Sequence, residues 1–158
     1  MATSGKNLSH YDKEQLPDTG GMRIGLVVSE WNEEITEALF KGAYDTLIDC
    51  GLADDRILRW NVPGSFELTF GCKRMIERER PDAVIAIGSV IRGETSHFDF
   101  VCQAAAAGIK DLNVRQDVPV VFCVLTDDTI QQARDRSGGR HGNKGAEAAI
   151  AALKMAAL

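Results

Sequence analysis

The sequence predicts a three-layer α/β/α domain built on a four-stranded parallel sheet, and three observations predict it. Apolar strand-like runs alternate four times with stretches of helical periodicity, the signature of repeated βα units. One run, residues 83–90 (AVIAIGSV), is continuously apolar, as a strand covered on both faces should be. Another, residues 57–62 (ILRWNV), sets Ile57, Arg59 and Asn61 against Leu58, Trp60 and Val62, the alternation of a half-exposed edge strand.

The first strand is residues 23–29 (RIGLVVS), followed by a helix over about 32–50 that Gly51 stops. After the edge strand a helix over about 67–80 is ended by Pro81, which disfavours helical backbone at the residue before it. The central strand runs out into the polar turn Arg92-Gly93-Glu94-Thr95-Ser96-His97. Ser96 and Asp99 there stand at the spacing of a variant capping box for a helix over 97–112. Its AAAA stretch at 104–107 suits close packing on a sheet. The fourth strand is 118–125 (VPVVFCVL); Thr129 and Gln132 then make a T-x-x-Q capping box for a short helix to about 136, and 144–158 is a last alanine-rich helix. Residues 1–21 have neither strand nor helix periodicity and are expected to be a flexible arm, leaving 22–158 as the single domain.

A length of 158 residues, 44% of them hydrophobic, is enough for one well-buried core and short for two. The formal net charge of −5 leaves no basic footprint for nucleic acid. No apolar run reaches the roughly 18 to 20 residues of a membrane helix, and the first residues lack the apolar stretch of a secretory signal. Cys50, Cys72, Cys102 and Cys123 lie 22, 30 and 21 residues apart, too far for paired zinc or redox motifs, so they read as buried, reduced thiols of a cytoplasmic protein.

In a parallel sheet the loops that follow the strands gather at one edge, where open α/β sheets bind ligands. Those loops carry Trp31 and Asn32, then Pro63-Gly64-Ser65-Phe66-Glu67, then residues 91–97, then Thr126-Asp127-Asp128. Together they supply an aromatic surface, backbone groups freed by glycine and proline, a carboxylate and a histidine suited to proton transfer. Such a pocket fits a polar aromatic ring with hydroxylated appendages. The 137–144 segment adds glycine flexibility, two cations and a helix N-terminus, which suits a phosphate. Each feature alone has a plainer reading. A histidine at a helix start is commonly a surface or capping residue, Trp31 can be a rim aromatic, and the glycine-rich segment lacks the spacing and preceding strand of a P-loop.

Read together, SEWNEEIT, VPGSFEL, GSVIRGETSHFDFV, PVVFCVLTDDTIQQARDRSGG and GNKGAEAA stand in the order and spacing of the lumazine synthase family, which the chain resembles from about residue 21 onward. The resemblance implies a flavodoxin-like fold. It also implies condensation of 5-amino-6-(D-ribitylamino)uracil with 3,4-dihydroxy-2-butanone 4-phosphate, without metal or organic cofactor. By the same resemblance Trp31 stacks on the pyrimidine, with Asn32 beside it. Ser65, Phe66 and Glu67 hold the ribityl chain, and Val90 and Ile91 offer backbone contacts to the ring. Gly93, Glu94 and Thr95 receive the phosphate, and His97 transfers protons. Phe122 and Arg136 enter the pocket from an adjacent subunit, Arg136 as the phosphate's cation.

The family pattern thus implies a homo-oligomer with sites at subunit interfaces, pentameric rings and a 60-subunit icosahedral shell, with riboflavin synthase as a candidate protein partner. Three positions depart from it: Thr69 stands for a common proline, Cys123 for a common glycine and Arg140 for a common lysine, the last leaving residue 140 without a firm role. A non-catalytic flavin or lumazine binder, or a flavodoxin-like interaction domain, would share the scaffold. The presence of both His97 and Arg136 favours the enzyme.

Overall fold

A computed structural model describes residues 11–158. Six strands, β1 (Ile24–Ser29), β2 (Ile57–Val62), β3 (Ala83–Ile91), β4 (Val120–Asp127), β5 (Ser137–Gly139) and β6 (Gly142–Asn143), alternate with five α-helices: α1 (Glu33–Asp49), α2 (Leu68–Glu79), α3 (His97–Arg115), α4 (Ile130–Arg136) and α5 (Lys144–Ala156). The first four strands form one parallel sheet in the order β2-β1-β3-β4. This is the predicted α/β fold, with ILRWNV at one edge and AVIAIGSV inside.

Period-two alternation on the inner strands divides the core into two apolar layers. Ile24, Leu26 and Val28 of β1 and Ala83, Ile85 and Ile87 of β3 pack with Leu39, Ala43 and Leu47 of α1 and Ala149, Ala152 and Leu153 of α5. On the other face Val27, Val84, Ala86 and Val124 meet Leu68, Cys72 and Met75 of α2 and Ile109 and Leu112 of α3. Every residue of β1 is buried, which accounts for its lack of a polar face.

Helix ends follow local chemistry. Gly51, at φ 94°, donates its N–H to the Ile48 carbonyl and ends α1 as predicted. Thr129 accepts from the Gln132 N–H at 3.3 Å, while Gln132 reaches back to the Asp128 N–H at 2.9 Å, so the second capping box forms with its return bond one residue early. The first does not form. Ser96 has helical backbone and caps nothing with its side chain, because the Asp99 carboxylate is drawn to Arg92 at 3.2 Å and Thr95 Oγ1 instead accepts the His97 N–H at 3.4 Å. Helix α3 runs three residues beyond its predicted end. There Asn113 bonds the Val120 N–H and carbonyl, both at 2.8 Å, and so sets where β4 starts.

Within the glycine-rich 137–144 segment, where the sequence predicts no strand, the chain forms an antiparallel hairpin, β5 with β6. Asn143 holds it by donating to the carbonyls of Ala38 and Ser137 at 2.9 and 3.1 Å while capping α5 through the Gly145 N–H at 2.8 Å. The first ten residues of the expected arm lie outside the described residues. From Tyr11 to Gly21 the chain runs beside the end of α1, where Tyr11 and Lys13 bond the Asp49 carboxylate and Thr19 bonds the Cys50 carbonyl. Among the described residues no helix is long and apolar enough to cross a membrane, and the four cysteines are free thiols. Cys72 and Cys123 are buried as expected, but Cys50 and Cys102 are only half-buried, because they lie near helix ends, Cys50 at the end of α1 and Cys102 in the second turn of α3.

Candidate active site

The connection from β1 leads outward to β2 and that from β3 outward to β4, so the carboxyl ends of β1 and β3 flank the point where strand order reverses. Open α/β sheets leave a crevice there. In this protein the crevice is a cavity of about 640 Å³ whose wall includes Trp31, Asn32, Phe66, Glu67, Val90 and His97. Ser65 and Ile91 also border it. Eight of the predicted site residues therefore meet in one place.

Local structure sets each of them. Trp31 and Glu30 leave β1 tied to the next loop, their N–H groups donating to Pro63 and Val62 carbonyls at 3.2 and 2.9 Å. Trp31 is 73% exposed and its ring stands beside Gly64, an open aromatic platform among the described residues. Ser65, Phe66 and Glu67 form one 3₁₀ turn rather than the start of α2, which begins at Leu68. That turn can sit on β3 because residue 88 is glycine. A Cβ there would come within 2.6 Å of Ser65 Oγ and 2.9 Å of Leu68 Cδ1. The hydroxyls of Ser65 and Ser89 are buried in this wall without a hydrogen-bond partner among the described residues.

His97 is the first residue of α3 and faces the same cavity, with Val101 one turn below it. The preceding Gly93-Glu94-Thr95 turn, expected in the site, is solvent-exposed and lines neither this cavity nor the one along β4. Arg92 fastens that turn. Its Nε donates to Asp128 at 2.8 Å, its Nη2 donates to Asp99, and its guanidinium lies 4.1 Å from the centre of the Phe98 ring.

Phe122 and Arg136 are elsewhere. They line a second cavity, about 390 Å³, along the open edge of β4 with Asp127, Lys144 and Glu147. Arg136 Nη1 donates to the Gln132 carbonyl at 3.0 Å and lies 3.8 Å from Asp127 Oδ1, whereas Lys144 and Glu147 pair closely at 2.6 Å. Burial pushes the Asp127 carboxyl above its ordinary pKa; Arg136 opposes that rise and Asp128 adds to it. The thiol of Cys123, behind this cavity, is pushed up to about 12 by burial and is a poor nucleophile. Arg140 faces neither cavity, because it pairs with Asp135 at 2.9 Å. Thr69 fills the space that Gly108 leaves between α2 and α3.

Sequence reasoning missed Ser89, Val101 and Glu147 as lining residues, and it read Asp127 as part of the loop after the fourth strand, whereas β4 runs to Asp127. Val101 follows His97 at one helical turn and was open to that inference; Ser89 sits inside an apolar run that reads as plain strand.

Fold and crevice define an open α/β protein with a ligand-sized, aromatic-walled crevice at its switch point. The chain belongs to the 6,7-dimethyl-8-ribityllumazine synthase family, whose model matches residues 21–158. Relatives carrying that enzyme name include one from Christiangramia forsetii, 63% identical over all of this chain and 95% of the relative. One from Flavobacterium johnsoniae is 62% identical over 99% of this chain and 82% of its own length. One from Porphyromonas gingivalis is 54% identical over 100% of this chain and 98% of the relative.

Proposed function

We propose that the switch-point cavity takes the pyrimidine with its ribityl chain, and that the β4 cavity of an adjacent chain completes the active site with Phe122 and Arg136. The protein is a transferase of riboflavin biosynthesis. It condenses 5-amino-6-(D-ribitylamino)uracil with 3,4-dihydroxy-2-butanone 4-phosphate to 6,7-dimethyl-8-ribityllumazine, releasing phosphate and water, the penultimate step of that pathway.

One observation carries the site assignment: His97 borders one cavity and Arg136 the other, so a single chain does not offer both to one substrate pair. A cyclic, heterologous ring, in which each β4 edge meets the next chain's crevice, reconciles them. Exposed Phe66, Phe70, Phe100 and Phe122 supply apolar surface that such a ring would bury. The ring is a pentamer, twelve of which close into the 60-subunit shell implied by the family resemblance. The cytoplasm, where thiols stay reduced, is its compartment, and riboflavin synthase, which takes the product onward, is its candidate partner.

Trp31 stacks on the pyrimidine while Ser65 to Glu67 and the Val90-Ile91 backbone hold the ribityl chain and ring edge, with Asn32 shaping the wall. The ring amine attacks the ketone to form an imine, phosphate leaves as the carbon chain rearranges, and a second condensation closes the pyrazine ring. His97 moves the protons. The Gly93-Glu94-Thr95 turn and Arg136 bind the departing phosphate. Since imine formation between such partners is intrinsically easy, holding the two substrates together supplies most of the acceleration.

Incubation with both substrates, followed by the lumazine chromophore and by free phosphate, tests the reading. Stoichiometric appearance of both is expected. Ligand binding without either product would mean a non-catalytic binder.

A further inference from the structure

The β4 cavity holds four charges, and they are not paired alike. Lys144 and Glu147 make a close ion pair that leaves little net field. Arg136 and Asp127 stand 3.8 Å apart, beyond hydrogen-bond distance. The Asp127 side chain is 9% exposed, its Oδ2 is buried with no hydrogen-bond partner among the described residues, and it sits at the end of β4 opposite Ile91 of β3. Its carbonyl accepts the Arg92 N–H at 2.9 Å, so the backbone beneath the carboxylate is fixed. Arg136, by contrast, spends one N–H on the Gln132 carbonyl and makes no other side-chain hydrogen bond among the described residues.

A buried carboxylate without donors is costly unless a nearby cation compensates it. Arg136 is the nearest cation, and the compensation works in both directions: the carboxylate cancels part of the field that Arg136 projects into the cavity. We infer that Asp127 is a positioning residue for Arg136, a fixed counter-charge that steadies the guanidinium without consuming its donors and weakens its grip on a phosphate dianion. The inference rests on the reading of Arg136 as the phosphate's cation. Its consequence is turnover: an arginine left with its full field in a partly buried cavity would hold the released phosphate, whereas a partly cancelled one lets it go.

The test is product inhibition by inorganic phosphate, measured on the assembled enzyme, for the unaltered protein, Asp127→Asn, Arg136→Ala and the double variant. Asparagine keeps the shape and removes the charge. Asp127→Asn is expected to lower the inhibition constant for phosphate and the KM for the butanone phosphate about 3- to 10-fold, with the KM for the pyrimidine unchanged. In the Arg136→Ala background the same exchange should do almost nothing, because the effect passes through the guanidinium. If Asp127→Asn fails to assemble, Asp127→Ser carries the same comparison. An unchanged or raised inhibition constant in Asp127→Asn, with phosphate binding still weakened by Arg136→Ala, overturns the inference alone. A shift of equal size with and without Arg136 also overturns it, placing Asp127 directly against the anion. If Arg136→Ala leaves phosphate inhibition untouched, the underlying reading of Arg136 fails and the inference falls with it.

Discussion

Asn32 donates from its side-chain Nδ2 to the carbonyl oxygen of Ser89 at 2.8 Å, and it does so from left-handed backbone at φ 59° and ψ 48°. Pairing of β1 with β3 ends at Val28 opposite Ile87, so the Ser89 carbonyl lies beyond the last rung and the Asn32 amide takes the place of the missing strand partner. One residue thereby ties the two walls of the crevice and turns the chain into α1.

Asn32→Ala loses both functions and should destabilise the protein by about 1.5 to 3 kcal/mol, from the lost bond plus the cost of left-handed backbone at alanine. Asn32→Gly relieves the backbone and should cost less. Urea denaturation at fixed protomer concentration separates them; equal losses would mean that backbone conformation contributes nothing.

Gly145 is where α5 approaches α1 most closely. A Cβ there would overlap the Leu39 carbonyl oxygen and come within 2.9 Å of Asn143 Oδ1, the atom that caps the helix. Gly145→Ala should therefore cost about 2 kcal/mol or more by overpacking and loss of the cap. Gly93→Ala, where a Cβ meets nothing within 4 Å, should leave the denaturation midpoint unchanged. Comparable midpoints for the two variants would contradict the packing seen between α1 and α5.

His97→Ala should lower kcat about 10- to 100-fold with little change in either KM, at the low end for a proton-transfer group because substrate positioning survives. Steady-state kinetics with unaltered turnover would remove His97 from the reaction.

Arg136→Ala should raise the KM for the butanone phosphate far more than that for the pyrimidine, since only the phosphate loses a charge-assisted contact. The nearby carboxylates of Asp135 and Glu147 pair with Arg140 and Lys144. The neighbour of Arg136 is Asp127, so a structural role would appear instead as equal effects on both substrates.

The parts of this structure that were legible in the sequence are those where one local signal decides the outcome. The alternation in ILRWNV announced an edge strand and the unbroken run AVIAIGSV a central one, and the loops at their carboxyl ends contained the crevice residues. What escaped depends on distant partners. The β5–β6 hairpin is too short to carry periodicity and is held by Asn143 reaching Ala38, 105 residues away. The capping role expected of Ser96 failed because Arg92, four residues upstream, competes for Asp99. Asp127 reads as a loop residue following the strand, and nothing local reveals that its carboxylate is buried beside Arg136.

Because His97 and Arg136 border different cavities of one chain, a shared site makes a demand that a single-chain enzyme would not meet: mixing His97→Ala and Arg136→Ala chains should restore activity. In a cyclic ring each pocket takes His97 from one chain and Arg136 from its neighbour, so equal random mixing leaves about one quarter of the pockets with both groups. Neither variant alone has such a pocket. Co-expression or joint refolding lets the two kinds of chain mix before they assemble, and the assay should use limiting butanone phosphate, where both single variants are weak. Activity well above the average of the separate variants is expected. Activity no greater than that average would show that the two residues do not meet across a subunit boundary.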